Sequence, residues 1–202
     1  MNGLNCNIQQ QLIIFEKIIM KNKRLIEVLK VLEKYSKINP RFKDYYVGAG
    51  SVNQTIFNYL SGNKLDYGIK DFDIVYYDED LSYEAEDKII KDLELLFQNK
   101  QILFDIKNEA RVHIWYNEKY KANREPYISV EDAISKWGAT VTCIGVRLEN
   151  NKLITYCPYG LNDLFSMTIR SIKTYFTKEQ YEERVNRWLS KWPNLKVISW
   201  DE

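Results

Sequence analysis

The sequence predicts an α+β fold of the α/β class, a small mixed sheet with flanking helices. Three observations carry this expectation. Apolar residues near the amino terminus recur at helical spacing, β-prone runs follow at Tyr45-Tyr46-Val47 and Asp71 to Tyr77, and the turn Gly48-Ala49-Gly50-Ser51 joins the first run to a helical segment over Val52 to Leu60. A strand, a glycine turn and a helix in succession are the core of the prediction.

The elements follow in order. Ile8, Leu12, Phe15 and Ile19 mark one helix face, and Leu25, Val28, Leu29 and Leu32 mark a second after a phase break near Lys21-Asn22-Lys23. Both helices end before Asn39-Pro40. After a loop marked by Gly62 and Gly68, Asp71 to Tyr77 reads as a strand, and Ser82 caps a helix carrying Ile89, Leu93, Leu96 and Phe97. Two more β-like runs, Gln101 to Ile106 and Ala110 to Tyr116, flank a kink at Asn108-Glu109. A helix over Ser129 to Trp137 is opened by the capping-box pair Ser129 and Asp132. A hairpin follows, with arms Thr140 to Leu148 and Leu153 to Tyr156 joined through Asn150-Asn151. A short helix near Leu161 to Met167 and a last one from Lys178 to Lys191, capped by Thr177 and stopped by Pro193, complete the chain.

Composition narrows the class. With 202 residues, 45% hydrophobic and 28% charged, the chain is an ordinary globular protein of one domain or two small ones, so disorder, collagen and disulfide scaffolds are excluded. Cys6, Cys143 and Cys157 lack the clustering of a zinc site and read as reduced thiols. The longest apolar runs, such as Leu12-Ile13-Ile14-Phe15, fall far short of the ~20 residues a membrane span needs. A cytoplasmic protein without a membrane partner is expected. The net charge of +1 gives no general reason to bind nucleic acid, but the charge is unevenly spread: residues 71–94 hold ten acids against two bases.

That acidic stretch begins where the chemistry is suspected. Asp71 and Asp73 stand two apart on a predicted strand, so both carboxylates leave one face and can share a hard cation. Gly48, Gly50 and Ser51 form a strand-to-helix turn of the kind that offers bare N–H groups to phosphates, although Ser51 could equally be a plain helix cap. Asp105 interrupts the apolar run around Ile102-Leu103-Phe104 and Ile106, and such a charge needs compensation. A cation shared with Asp71 and Asp73 would supply it, and so would a salt bridge to Lys107 or Arg111. Three acids beside a phosphate turn make two-metal phosphoryl transfer the economical reading.

On these residues the sequence resembles the polymerase-β-like nucleotidyltransferase superfamily, whose signature of a Gly-Ser turn, Asp-x-Asp and a later Asp is matched by Gly50-Ser51, Asp71, Asp73 and Asp105. Within it the chain is similar to a family of bacterial nucleotidyltransferases of unestablished substrate. The matching stretches are Gly48-Ala49-Gly50, Ile69 to Asp78, Asp80 to Glu84, Lys107 to Tyr116 and Pro158 to Phe165. The resemblance implies a nucleotidyltransferase-like fold, with residues 1–202 as one domain: a catalytic core over about 42–116, amino-terminal helices over about 8–38, and carboxy-terminal elements 118–202 packed on it. The Ser51 to Asp71 spacing is longer than usual in polymerizing members, and the loop from Ser61 to Gly68 absorbs it.

The resemblance also implies a reaction. A nucleoside triphosphate would pass its nucleoside monophosphate to a hydroxyl of a small molecule or protein, releasing pyrophosphate. Two Mg²⁺ (or Mn²⁺) ions would be held by Asp71, Asp73 and Asp105, with Asp105 on the acceptor side, and Gly48, Gly50 and Ser51 would hold the phosphates. Arg111 and His113, two apart on the predicted strand after Asp105, and Lys70 before the Asp pair, are further candidates for nucleotide binding, each with a plain packing or solvation role as the alternative. Arg184, Arg187 and Lys191 share one side of the last helix and read as a solvated face, with Trp188, Leu189 and Trp192 as its packing face. No basic channel for a nucleic-acid template is evident. The competing expectation is a non-catalytic nucleotide-binding or partner-binding module, such as one half of a toxin–antitoxin pair.

Overall fold

The computed structural model describes residues 3–98, 100 and 102–202. Two helices open the fold, α1 (Ile8–Ile19) and α2 (Lys23–Ile38). Each starts on an asparagine cap: the Asn7 side chain accepts from the Gln10 N–H in a full capping box, and Asn22 accepts from the Leu25 N–H. Their apolar faces bury Phe15, Ile19, Leu25, Val28, Leu29 and Leu32 completely.

The sheet follows. Strand β1 (Tyr45–Gly48) runs into helix α3 (Ala49–Leu60), and β2 (Asp71–Tyr76) is followed by α4 (Tyr83–Phe97), whose Ser82 cap was expected from the sequence. Strand β3 (Leu103–Asn108) then lies parallel to β2, a pairing that requires α4 as the crossover. Of the predicted run from Gln101 to Ile106, Gln101 lies outside the described residues. A short 3₁₀ turn (Glu109–Arg111), α5 (Val112–Tyr120) and α6 (Val130–Ser135) lead to the hairpin β4 (Gly145–Glu149) and β5 (Lys152–Tyr156). The strand order β3-β2-β1-β4-β5 makes a mixed five-stranded sheet in which only β2 and β3 are parallel. Helix α7 (Asn162–Phe165), β6 (Thr168–Ile169), α8 (Lys178–Leu189) and β7 (Lys196–Val197) complete the fold, with β6 and β7 forming a separate parallel pair.

Several local expectations are corrected. Residues Ala110 to Tyr116 form a 3₁₀ turn and helix α5, not a strand. Asn108 explains the change, because its side-chain oxygen accepts from the Ala110 N–H at 3.1 Å and the Asp78 N–H at 3.0 Å, turning the chain as a cap does. The first hairpin arm begins at Gly145 rather than Thr140. Thr142 folds the preceding segment into a turn, its hydroxyl donating to the Ala139 carbonyl at 2.8 Å. The box at Ser129 is half made: Ser129 accepts from the Asp132 N–H, but the Asp132 carboxylate takes the Ile128 N–H and Lys136 instead. The helix near Leu161 is the single turn Asn162–Phe165, since Met167 adopts a left-handed conformation (φ 54°) and redirects the chain into β6.

A buried polar contact ties the carboxy-terminal segment to α3. Trp192, 1% exposed, donates its indole N–H to the Asn58 side chain of α3 at 2.9 Å. Asn58 in turn donates to the Leu65 and Tyr67 carbonyls, fixing the long loop after α3. Helix α8 is thereby set against the loop and the turn that precedes α3.

Candidate active site

Strand register assembles the acids. Gly48 of β1 pairs with Asp73 of β2, and Asp73 pairs with Asp105 of β3, so three neighbouring strands contribute one row. The period of two puts Asp71 on the same face as Asp73, while Phe72 and Ile74 point into the core on the other. The Asp73 carboxylate accepts the Gly50 N–H at the start of α3. Burial first, then the charges of Asp105 and Asp71, push Asp73 up to about 6 against an ordinary 3.8.

Asp105 is compensated as one of the sequence alternatives foresaw, by an ion pair with Lys107. Among the described residues no group of three or more His, Cys, Asp or Glu side chains is arranged to hold a metal ion. The donor chemistry nonetheless fits a hard divalent cation: carboxylates in a row, mutually repelling, with one held high in pKa by burial and by that repulsion.

The three turn residues part company. Gly50 lines a cleft beside Asp71 and Asp73. Gly48 lies beneath Trp137; a Cβ there would meet the indole at 2.7 Å and the Ile144 carbonyl at 2.9 Å. Ser51 is fully buried, its hydroxyl donating to the Gly48 carbonyl at 3.1 Å. Between them Ala49 takes a left-handed conformation (φ 44°), local strain of the kind found at functional turns. Gly48→Ala is expected to lower the unfolding free energy by about 1–3 kcal/mol through overpacking, read as a lower urea midpoint with an unchanged slope.

Arg111 and His113 are not brought to the acids. The Arg111 guanidinium pairs with Glu86 and its Nε donates to the Leu81 carbonyl at 3.0 Å, and neither residue lines the clefts that Asp73 faces. The predicted strand that would have aimed them is helical. Lys70 does line the Asp71 cleft.

Sequence reading missed the cations opposite. Arg184, Arg187 and Lys191 of the carboxy-terminal segment, taken there as a solvated face, line the same cleft as Lys70, Gly50, Asp71 and Asp73. Burial lowers the pKa of Arg184 and Lys191, and the crowding of like charges lowers both further. Their shared helical side was legible; the surface it faces was set by Trp192 and Asn58, partners 134 residues apart.

A second cleft opens from Asp73 on the Asp105 side. Its cavity of about 320 Å³ is walled by aromatic rings and contains Lys107, Glu109 and Arg124. Glu109, 4% exposed, is pushed up to about 7 by burial, against the attraction of Lys107 and Arg124. Asp73 and Glu109 therefore hold protons more tightly folded than unfolded between about pH 4 and 7. By linkage, this stabilisation is present below pH 4 and lost as pH rises through 6 and 7. In chelator, the melting temperature is expected to fall between pH 5 and 8, and Glu109→Gln should flatten that fall; a rise over this interval would contradict the assignment.

A row of carboxylates on adjacent strands of a mixed sheet thus lies beside a helix start and a cluster of cations. A family model described as nucleotidyltransferase matches residues 39–197, and the chain belongs to that family. A solved NMR structure described as revealing a CCA-adding enzyme head domain superposes with a TM-score of 0.72 at 24% identity, covering 98% of this chain and 99% of that one. This likeness shows the fold, which is polymerase-β-like. Among curated proteins none matches the chain in sequence. Among the described residues no helix is long and apolar enough to cross a membrane.

Proposed function

We propose that this protein is a divalent-metal-dependent nucleotidyltransferase that moves a nucleoside monophosphate from a nucleoside triphosphate to a hydroxyl of an acceptor, releasing pyrophosphate. The observation that carries the reading is the set of four cations, Lys70, Arg184, Arg187 and Lys191, gathered around Gly50, Asp71 and Asp73. Burial and the neighbouring charges of Lys70 and Arg187 lower the pKa of Lys191; cations crowded in this way are a site for a polyanion, and a triphosphate relieves the repulsion.

Each group has a role on this reading. Lys70, Arg187 and Lys191 bind the β- and γ-phosphates, and the Gly50 turn presents the start of α3 to them. Arg184, beside Asp73, neutralises charge that develops on the α-phosphate. Asp71, Asp73 and Asp105 would hold Mg²⁺ or Mn²⁺, with Lys107 withdrawing from Asp105. Bound ions supply Lewis-acid stabilisation of the phosphoryl oxygens. Asp105 faces the acceptor hydroxyl and draws off its proton. Residues 1–202 act as one nucleotidyltransferase domain, since the cleft needs α3, β2 and α8 together.

The test is pyrophosphate release from ATP, GTP, CTP and UTP with Mg²⁺ or Mn²⁺ across a metabolite panel. Arg187→Ala and Lys191→Ala are each expected to raise KM for the triphosphate about ten- to a hundredfold, the loss of a charge-assisted contact of roughly 1.5–3 kcal/mol. Triphosphate binding without turnover under any acceptor would favour the binding-module alternative.

A further inference from the structure

The aromatic cleft on the Asp105 side has features that phosphate binding does not use. Arg124 is held by two bonds of Asn117 to its backbone, at 2.7 and 3.0 Å, and its guanidinium lies 4.1 Å from the Tyr175 ring centre, 4.7 Å from Tyr116 and 4.8 Å from Tyr127. Despite this packing, Arg124 Nε and the Tyr127 hydroxyl have no hydrogen-bond partner, and Tyr127 is 3% exposed. Glu109 attracts Arg124 electrostatically, yet no ion pair joins them among the described residues. Buried donors left unpaired beside a buried carboxyl are costly, and a ligand with matching groups removes that cost.

Stereochemistry says which ligand enters here. In-line displacement at the α-phosphorus places the nucleophile opposite the departing pyrophosphate. Pyrophosphate leaves toward Lys70, Arg187 and Lys191, so the acceptor approaches from the other side of Asp73, where Asp105 and the aromatic cleft lie. We propose that this cleft is the acceptor site, and that the acceptor is a small alcohol with a planar ring whose N–H donor faces Glu109 and whose adjacent carbonyl accepts from Arg124 and Tyr127. Rings such as those of Trp115, Trp137 and Tyr175 stack on a flat ligand, and a walled cavity of about 320 Å³ suits a small molecule rather than a folded protein surface. The inference rests on the nucleotidyl-transfer reading. In the step itself the acceptor O–H gives its proton to Asp105, its oxygen bonds to the α-phosphorus, and the bond from that phosphorus to the bridging oxygen breaks with its electron pair leaving on pyrophosphate.

Free nucleosides serve as probes, because guanosine and uridine carry a ring N–H beside a carbonyl, on a planar base with sugar hydroxyls. Calorimetric titration of the full chain is run with Mg²⁺, with and without saturating α,β-methylene triphosphate analogues. Guanosine or uridine is expected to bind at least tenfold tighter than N1-methylguanosine, N3-methyluridine or adenosine, and to bind alongside the analogue. Glu109→Gln and Tyr127→Phe should each weaken the nucleoside at least fivefold and leave analogue affinity unchanged. Mutual exclusion of nucleoside and analogue in the wild type would assign the cleft to the donor's base and overturn the proposal, as would analogue binding without binding of any nucleoside. Nucleoside binding without analogue binding would sink the transferase reading while upholding the ligand class of the cleft.

Discussion

Replacing Asp73 by Asn should lower nucleotidyl transfer by at least about a thousandfold while raising the melting temperature of the metal-free protein at pH 8. Asp73 is the centre of the row, paired in register with Gly48 on one side and Asp105 on the other, and bonded to the Gly50 N–H. An Asn oxygen keeps that last bond, so local geometry survives. On the proposed reading, what disappears is an anionic ligand for the metal ions, and with it several kcal/mol of transition-state stabilisation of the kind that such sites supply. The same change removes a carboxylate whose ionisation is opposed by burial and by Asp105 and Asp71. Its folded pKa of about 6 lies above the ordinary 3.8, so at pH 8 the ionised group destabilises the fold and Asn relieves it. Activity and stability should move in opposite directions, a signature of a functional rather than a structural carboxylate. The measurements are pyrophosphate release and thermal melting in chelator; equal turnover by wild type and variant would remove Asp73 from the mechanism.

The largest structural effect is expected at Trp192. Truncation to Ala should cost about 3–5 kcal/mol, the range for large buried aromatic side chains. The indole is 1% exposed, packs 5.8 Å from the Phe57 ring and 6.2 Å from Tyr67, and bonds to Asn58. Loss of the bond strands the Asn58 oxygen in the core. Trp192→Phe keeps a ring and loses only the bond, so it should cost about 1–2 kcal/mol. Because Lys191 donates to the Gly68 carbonyl at 2.9 Å from the adjoining position, the Ala variant should also raise KM for the triphosphate in its folded fraction. Urea unfolding and initial rates read the two effects, and a loss below 1 kcal/mol for the Ala variant would refute the anchoring role.

Much of the fold was legible in the sequence because its signals are local. Ser82 and Thr177 cap their helices with side chains reaching backbone N–H groups three residues on, and Phe15, Leu25 and Leu29 mark faces by spacing alone. The segment after Asp105 misled for the same reason. Val112, Ile114, Trp115 and Tyr116 have strand-forming composition, but Asn108 closes a turn through Asp78, a residue 30 positions earlier, and the chain goes helical. Arg111 and His113 lost their expected place with that strand.

The three acids are readable from the chain alone, since the shared face of Asp71 and Asp73 needs only the period of a strand and Asp105 stands out by interrupting an apolar run. What stands opposite them follows from long-range packing. Ser51 turns inward because its hydroxyl meets Gly48, while Arg184, Arg187 and Lys191 reach the cleft because Trp192 is buried against Asn58. Glu109 meets Arg124 and Tyr127 at the second cleft from a separate segment of the chain. Helical and strand periods fix which side chains share a face, but which faces meet depends on burial of long-range partners, and that information is absent from any local window of the chain.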